Sequence, residues 1–259
     1  MSPSDTLTPP RQNSAVQAIL NVVRRELTGY FSTPVAWVFI VIFLVMAGVF
    51  TFYIGAFYER GLADLAPFFQ FHAWLYLFLV PAVSMRLWAE ERRSGSIELL
   101  LTLPLTTWQA VVGKFLAAWF FIGLALALTF PTWVTVNYLG DPDNGAIFAG
   151  YVGSWLMAGG FLAIGSCISA TTRNQVVAFI LSVVVCFGFL LSGLPMIMNL
   201  FSGWAPQGLL DLVAEFSFLS RFASISKGVL DLRDLVYFGL VTVFWLMANT
   251  IVLELRKAD

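Results

Sequence analysis

Few residues in this chain could carry chemistry. There is one histidine, His72, and there are two cysteines, Cys167 and Cys186. A single imidazole cannot build a multi-histidine metal site or ligate a haem from both sides. A Ser–His dyad would have to pair His72 with a serine such as Ser154 or Ser166, and no GxSxG turn is present to expose that serine. The cysteines sit in separate apolar runs without a CxxC spacing and read as small packing residues. No GxxxxGK[ST] phosphate loop occurs, so ATP is not bound here by that device. The apolar segments also lack the central acidic or basic residue expected of a proton-coupled carrier. The expectation is a protein that is not an enzyme and holds no metal or cofactor. His72 is expected at an interface or lining a pathway, together with Trp133 and Asn137.

The informative polar segment is Glu90 to Leu105, EERRSGSIELLLTLPL. A charged cluster is followed by a glycine break, a short apolar stretch and a proline. Thr106 and Gln109 then have the spacing of a capping box that opens the next helix. A short helix from Ser96 to about Leu103 would present Ile97, Leu100 and Leu101, or Leu99 and Leu103, to a partner groove. The competing reading is a solvated loop whose charges only set topology. A bare loop would leave those leucines uncovered, which favours a docked helix.

These segments sit between long apolar runs. Of the 259 residues, 59% are hydrophobic and 11% are charged, against about 45–50% and about 25% in soluble domains. Such a composition needs lipid as solvent. The net charge of -1 argues against a nucleic-acid partner. Six apolar segments are expected to cross the bilayer: Val35 to about Tyr58, Pro67 to Leu87, Trp108 to Tyr138, Ala146 to Ala170, Gln175 to Asn199 and Leu235 to Leu255. Each is long enough for a hydrocarbon core of about 30 Å, and such a crossing must be helical. Pro81, Pro131 and Pro195 are expected to kink their helices. The fourth segment is rich in small residues, among them Gly159/Ala163 and Gly165/Ser169, which suits close helix packing within the chain.

Residues 1–13 are rich in Ser, Thr and Pro and are expected to be a disordered leader. Residues 14–33 read as an amphipathic interfacial helix, with Val16, Ile19, Leu20, Val23 and Leu27 on its apolar face. The first apolar run is expected to stay in the membrane as a signal anchor. Residues 34–259 then form one transmembrane domain. Between the fifth and sixth segments, two short interfacial helices are expected on the outer side, one carrying Phe218, Phe222, Ile225 and Val229. With six crossings, ten Lys and Arg residues fall on the side of the termini and four (Arg60, Arg221, Lys227 and Arg233) on the other. The positive-inside rule then puts both termini in the cytoplasm. The fold class is an all-α integral membrane protein.

The segment Glu90–Leu105 resembles the coupling-helix signature of ABC-2-type transporter permeases, and it follows the second of six spans as in that family. Glu26–Pro34 (ELTGYFSTP), Thr172–Phe179 (TRNQVVAF) and Ser226–Asp234 (SKGVLDLRD) resemble the gliding-motility-type branch. The resemblance covers nearly the whole chain. Ser96 stands where Thr is commoner, and keeps the hydroxyl. It implies a permease subunit of the bacterial inner membrane that works in export with a second permease copy or paralogue. A separate ABC ATP-binding subunit would bind ATP and Mg. An auxiliary membrane protein with a large extracytoplasmic domain is a further partner the branch suggests. The resemblance assigns ATPase coupling to Glu90, Glu91, Gly95, Ser96, Ile97, Glu98, Leu99, Leu100 and Pro104. Gly95 is the hinge, Ile97 and Leu100 the apolar anchors, and Glu98 a first-turn acid suited to the helix dipole. The leader helix at Arg24, Arg25 and Glu26 would sit beside the ATPase. Two rival readings stand: a complex that transmits force to an extracytoplasmic partner without transport, and an intramembrane hydrolase using His72.

Overall fold

The computed structural model describes residues 15–96, 105–194, 196, 199, 206, 208 and 213–256, and among these every regular element is helical. An amphipathic helix, α1 (Ala15–Phe31), leads into α2 (Pro34–Gly48). Pro34 opens α2 at a position where its missing N–H costs nothing. A π-helical turn, Val49–Ile54, extends α2, so that Pro34–Ile54 is a continuous apolar stretch of 21 residues. Next come α3 (Ala66–Gln70), α4 (His72–Ser84) and α5 (Arg86–Ser94). The chain continues with α6 (Thr107–Ala127), α7 (Phe130–Leu139), α8 (Asn144–Thr171) and α9 (Gln175–Leu191). The last two helices are α10 (Phe218–Ile225) and α11 (Leu232–Leu255).

Four of these stretches are long and apolar enough to cross a membrane: Pro34–Ile54, Thr107–Leu139, Asn144–Thr171 and Leu232–Leu255. The fifth expected span appears as α9, a shorter apolar helix. Pro195, its expected kink, lies outside the described residues. The second expected span is not one helix but three pieces, broken at Phe71 and Met85. Helix α5 also carries the chain well past Leu87, into the charged cluster. The break expected at Pro131 is present, between α6 and α7. The local start signals hold as well. Thr106 and Gln109 form the reciprocal capping box, while Asp143 caps α8 and Asn174 caps α9.

Helix α8 is the axis of the bundle, and its residues from Met157 to Ile164 are buried. Its glycines make room for neighbours from several helices. A Cβ on Gly150 would strike Phe69 of α3, one on Gly153 would strike Ile225 of α10, and one on Gly165 would collide with Ser84 of α4. The small-residue pattern therefore serves packing within the chain. On another side, Trp155 of α8 stacks on Trp119 of α6 with ring centroids 4.1 Å apart. Each indole N–H donates to the other residue's backbone carbonyl, at 2.9 and 3.2 Å. This satisfies two donors that lipid could not.

The bend between α4 and α5 has a definite cause. Proline at position 81 supplies no N–H to the ladder. Beyond it, the N–H groups of Trp88 and Ala89, in the first turn of α5, donate to Ser169 Oγ of α8 at 3.2 and 3.0 Å. That hydroxyl donates in turn to the Met85 carbonyl at 2.9 Å. A serine inserted into a helix ladder in this way accommodates the bend while giving two N–H groups and one carbonyl a partner. One turn along α8, Ser166 Oγ accepts from the Trp88 indole at 3.2 Å and from Asn249 of α11 at 2.8 Å.

Two amphipathic helices dock differently from the sequence-based expectation. In α1 the buried residues are Ala18 and Val22, whereas Val16 and Leu20 are exposed. The stripe through Ala18 and Val22 packs on α6 at Gly113, where a Cβ would lie 2.7 Å from Val22. Of the expected apolar face, Val16 and Leu20 are exposed, Ile19 and Val23 are half-buried, and Leu27 packs on the core. In α10, Phe218, Phe222 and Ile225 face inward, with Phe218 against Phe161, Phe189 and Phe238. This helix packs its apolar face onto the bundle, and Val229 falls beyond it, exposed. The companion helix expected just before α10 lies mostly outside the described residues.

Replacing Ser169 by Ala orphans two buried N–H groups at the α4–α5 bend, at about 1–3 kcal/mol for each unsatisfied group. Thermal unfolding of the purified protein should show a clearly lower midpoint for Ser169→Ala. Ser226→Ala is the control, since that exposed hydroxyl bonds only to the nearby Ala223 carbonyl. Equal midpoints for the two variants would contradict the role given to Ser169.

Candidate functional site

The charged residues of three helices meet at one ammonium. Lys114 lies two turns into α6, and its side chain is only 3% exposed. Its Nζ is 2.8 Å from Glu91 Oε1 of α5 and 3.1 Å from Glu26 Oε1 of α1. It also lies over the ring of Trp88, 5.2 Å from the centroid. Arg25 joins from α1, 2.8 Å from Glu26 and 3.9 Å from Glu91. A lysine charge removed from water is tolerated only where carboxylates surround it, and here they come from two other helices. The close approach of α1 at Gly113, next to Lys114 in sequence, brings Glu26 within reach.

The electrostatics follow from this geometry. Burial, the largest influence on Glu26, pushes its carboxyl up. The charges and hydrogen bonds of Lys114 and Arg25 together outweigh burial, and the carboxyl ends below its ordinary value of 4.5. The Glu91 Oε2 atom is buried and has no hydrogen-bond partner among the described residues. Glu90, on the outer side of α5, pairs with Arg86 at 2.9 Å. Arg92 reaches over the C-terminal end of α8 to donate to the Ala170 carbonyl, where a cation meets the negative end of the helix dipole. Burial, and after it the nearby charges of Arg256 and Arg173, lower its pKa. Basic residues from the leader, the α5–α6 connection, the α8–α9 connection and the tail are thus gathered at one end of the bundle.

Helix α5 ends at Gly95, which adopts a left-handed conformation (φ 74°). A side chain there would be strained, so glycine suits a chain that must leave the helix at this point. Ser94 Oγ and Ser96 Oγ are 2.9 Å apart across the turn. Ile97, Glu98, Leu99, Leu100 and Pro104 lie outside the described residues.

Other residues singled out from sequence are placed elsewhere. Arg24 is exposed on α1. His72, expected at an interface or a pathway, is fully buried at the start of α4. It is ringed by Phe43, Phe68, Phe69 and Tyr76, and its Nδ1 pairs with the Phe68 carbonyl at 2.7 Å. Neither serine of the hydrolase reading bonds to it: Ser154 pairs with Tyr76, and Ser166 with Trp88 and Asn249. Trp133 and Asn137 form a clasp at the opposite end of the bundle. The Trp133 indole donates to Asn144 at 2.6 Å, and the Asn137 and Asn144 amides pair reciprocally at 3.0 Å. That clasp ties α7 to the start of α8 across the turn. In the sequence Lys114 reads only as one of the charges that set topology, and Ser169 only as a small packing residue. A lysine set into an apolar helix was the available signal for the first.

Substituting Lys114 by Met leaves two carboxylates facing each other, at a cost of about 3 kcal/mol. Adding Glu91→Gln to that variant should restore part of the loss, giving a coupling above about 0.5 kcal/mol in a double-mutant cycle read by denaturation. Because the folded Glu26 pKa is depressed, its stabilising contribution is complete above 4.5 and is lost as pH falls through the lower folded value. The Lys114→Met variant should lack this acid-linked loss. Strict additivity, with an unchanged acid profile, would contradict the hub.

Comparison with known proteins follows the geometry. The profile of a family described as ABC-2 family transporter protein matches residues 20–253. None of the curated proteins compared with the chain matches it. The matched region begins within α1, ends within α11 and takes in the Lys114 hub. The chain belongs to the ABC-2 transporter family and is a multi-pass membrane permease subunit of an ABC transporter, a membership that implies partnership with an ABC ATP-binding subunit.

Proposed function

We propose that this subunit turns ATP hydrolysis by its ATPase partner into export of a substrate across the bacterial cytoplasmic membrane. In this reading the chain crosses the membrane six times, both termini are cytoplasmic, and a second permease copy or paralogue completes the pathway. The ATPase docks on the connection between α5 and α6, with Glu90, Glu91, Gly95, Ser96, Ile97, Glu98, Leu99, Leu100 and Pro104 as the contact. Arg24, Arg25 and Glu26 of α1 sit beside it.

One observation carries this reading: α1, α5 and α6 are pinned to one another through Lys114, at the root of that connection. A push on the connection would reach the leader helix and α6 through ion pairs and packed backbone. It would reach the bundle axis through the Ser169 bend. The orientation is supported by the gathering of Arg25, Arg86, Arg92, Lys114, Arg173 and Arg256 at this end. At the other end Arg60 pairs with Asp64 at 3.3 Å, and Arg221 pairs with Asp234 at 3.1 Å.

Two substitutions test the coupling role. Gly95→Val forces a β-branched residue into a left-handed conformation, at about 1–2 kcal/mol or more. Leu100→Asp puts a charge into an apolar contact, a cost on the order of several kcal/mol in a dry groove. Both variants should reach the membrane at normal levels. Both should lose ATPase co-purification, or retain it with ATPase activity no longer coupled to function. Normal assembly and normal function in both would contradict the assignment.

A further inference from the structure

Three helices bring guanidinium groups together at one end of the bundle without a carboxylate between them. Helices α5, α8 and α11 meet at Ser166, whose Oγ accepts from the Trp88 indole at 3.2 Å and from the Asn249 amide at 2.8 Å. From that junction the three helices run towards the same end. Arg92 comes one turn after Trp88 on α5 and donates to the Ala170 carbonyl near the end of α8. Arg173 follows Ser166 by seven residues and Arg256 follows Asn249 by seven, so both stand about two helical turns beyond the junction. The electrostatics agree with this placement, because the charges of Arg256 and Arg173 both weigh on the Arg92 guanidinium.

Like charges gathered in this way repel unless an anion lies among them. None of the three takes part in an ion pair among the described residues. The nearby acids are engaged elsewhere, since Glu26 and Glu91 hold Lys114 and Glu90 holds Arg86. Glu254 is two residues before Arg256 on α11, a separation at which helical side chains do not face each other. Arg92 gives one N–H to a carbonyl, which carries no net charge to balance its own. The side chains around the cluster say where the anion comes from. Just before Arg256, Ile251 and Leu255 of α11 are exposed, and just after Arg173, so are Val176, Val177 and Ile180 of α9. Acyl chains cover such side chains in a bilayer, which puts the phosphate layer level with the arginines. A zwitterionic headgroup would add an ammonium to three guanidiniums, whereas a headgroup with net negative charge and no amine balances them. We infer that Arg92, Arg173 and Arg256 form a binding site for the phosphate of an anionic phospholipid, of the phosphatidylglycerol or diphosphatidylglycerol class. The orientation proposed above makes it a lipid of the cytoplasmic leaflet, but the site itself does not depend on that orientation. A phosphate held there ties α5 to α11, which the described hydrogen bonds join only through Ser166.

Native mass spectrometry of the full-length permease, alone and with its ATPase partner, tests the site with phosphatidylglycerol and phosphatidylethanolamine of matched acyl chains. Phosphatidylglycerol should bind about tenfold more tightly than phosphatidylethanolamine. Arg173→Gln combined with Arg256→Gln should bring the two lipids to within about twofold of each other. Both side chains are exposed, so the fold is not at stake. Lys227→Gln combined with Arg233→Gln removes the same charge from exposed positions at the other end of the bundle and should leave the preference intact. Equal binding of the two lipids to the unaltered protein overturns the proposal, as does an equal loss of preference in the two double variants. Inorganic phosphate at millimolar concentration should not displace the lipid. Displacement would mark a site for free phosphate and overturn the lipid assignment. Loss of the lipid when the ATPase joins would give the arginines to an acidic surface of that subunit, which also overturns it. Lipid binding to the permease alone is unaffected by whether Leu100→Asp uncouples the ATPase, so this inference and the coupling reading fail separately.

Discussion

An ammonium buried at the edge of a membrane bundle must be neutralised by groups near it, and this requirement organises the functional end of the protein. Lys114 finds its two carboxylates on two other helices, one of them 88 residues away in the chain. The leader helix, the charged helix after the broken second segment and the start of the long third segment therefore cannot be separated without uncovering a charge. Buried ion pairs contribute little net stability compared with a well-packed apolar substitute, but breaking one is costly. That asymmetry suits a joint that must hold its geometry while force passes through it.

The second requirement is set by lipid, which offers no partner to a free backbone group. The chain bends the α4–α5 segment, yet the Ser169 hydroxyl takes both released N–H groups and returns a hydrogen to a carbonyl. The bend and the hub are adjacent, because Glu91 lies less than a turn beyond Ala89. Helix α8 thus positions α5 from one side while α6 and α1 hold it from the other. What emerges at this end of the bundle is a short charged helix fixed at several points, ending at a left-handed glycine.

Much of this was legible locally. The Thr106/Gln109 box, the Asn174 cap, the break at Pro131 and the long apolar runs depend on residues a few positions apart. The charge asymmetry also survives into the structure as a cluster at one end. Long-range pairings were not legible. Glu26 and Lys114 are 88 residues apart, and nothing near either one names the other. Ser169 looks like any of the small residues in α8 until the α4–α5 bend is brought against it. His72 reads as interfacial because it sits near the start of an apolar segment, but its aromatic cage draws on two other helices besides its own. The apolar stripe of α1 was legible as a stripe. Which side meets protein was not, because the close approach that buries Ala18 and Val22 is set by Gly113, far away in the chain.

The central claim is that the connection between α5 and α6 is the cytoplasmic contact with the ATPase, pinned to the membrane bundle by Lys114. The most direct measurement places a photo-crosslinking amino acid at Ile97 in the intact complex within sealed membrane vesicles of known sidedness. A single cysteine at Ser96 is probed in parallel, since both native cysteines are buried and leave little background. The account predicts a crosslink from position 97 to the ATPase subunit, and thiol labelling at position 96 only from the cytoplasmic face. Labelling from the opposite face, or an absence of any crosslink to the nucleotide-hydrolysing subunit, would contradict it.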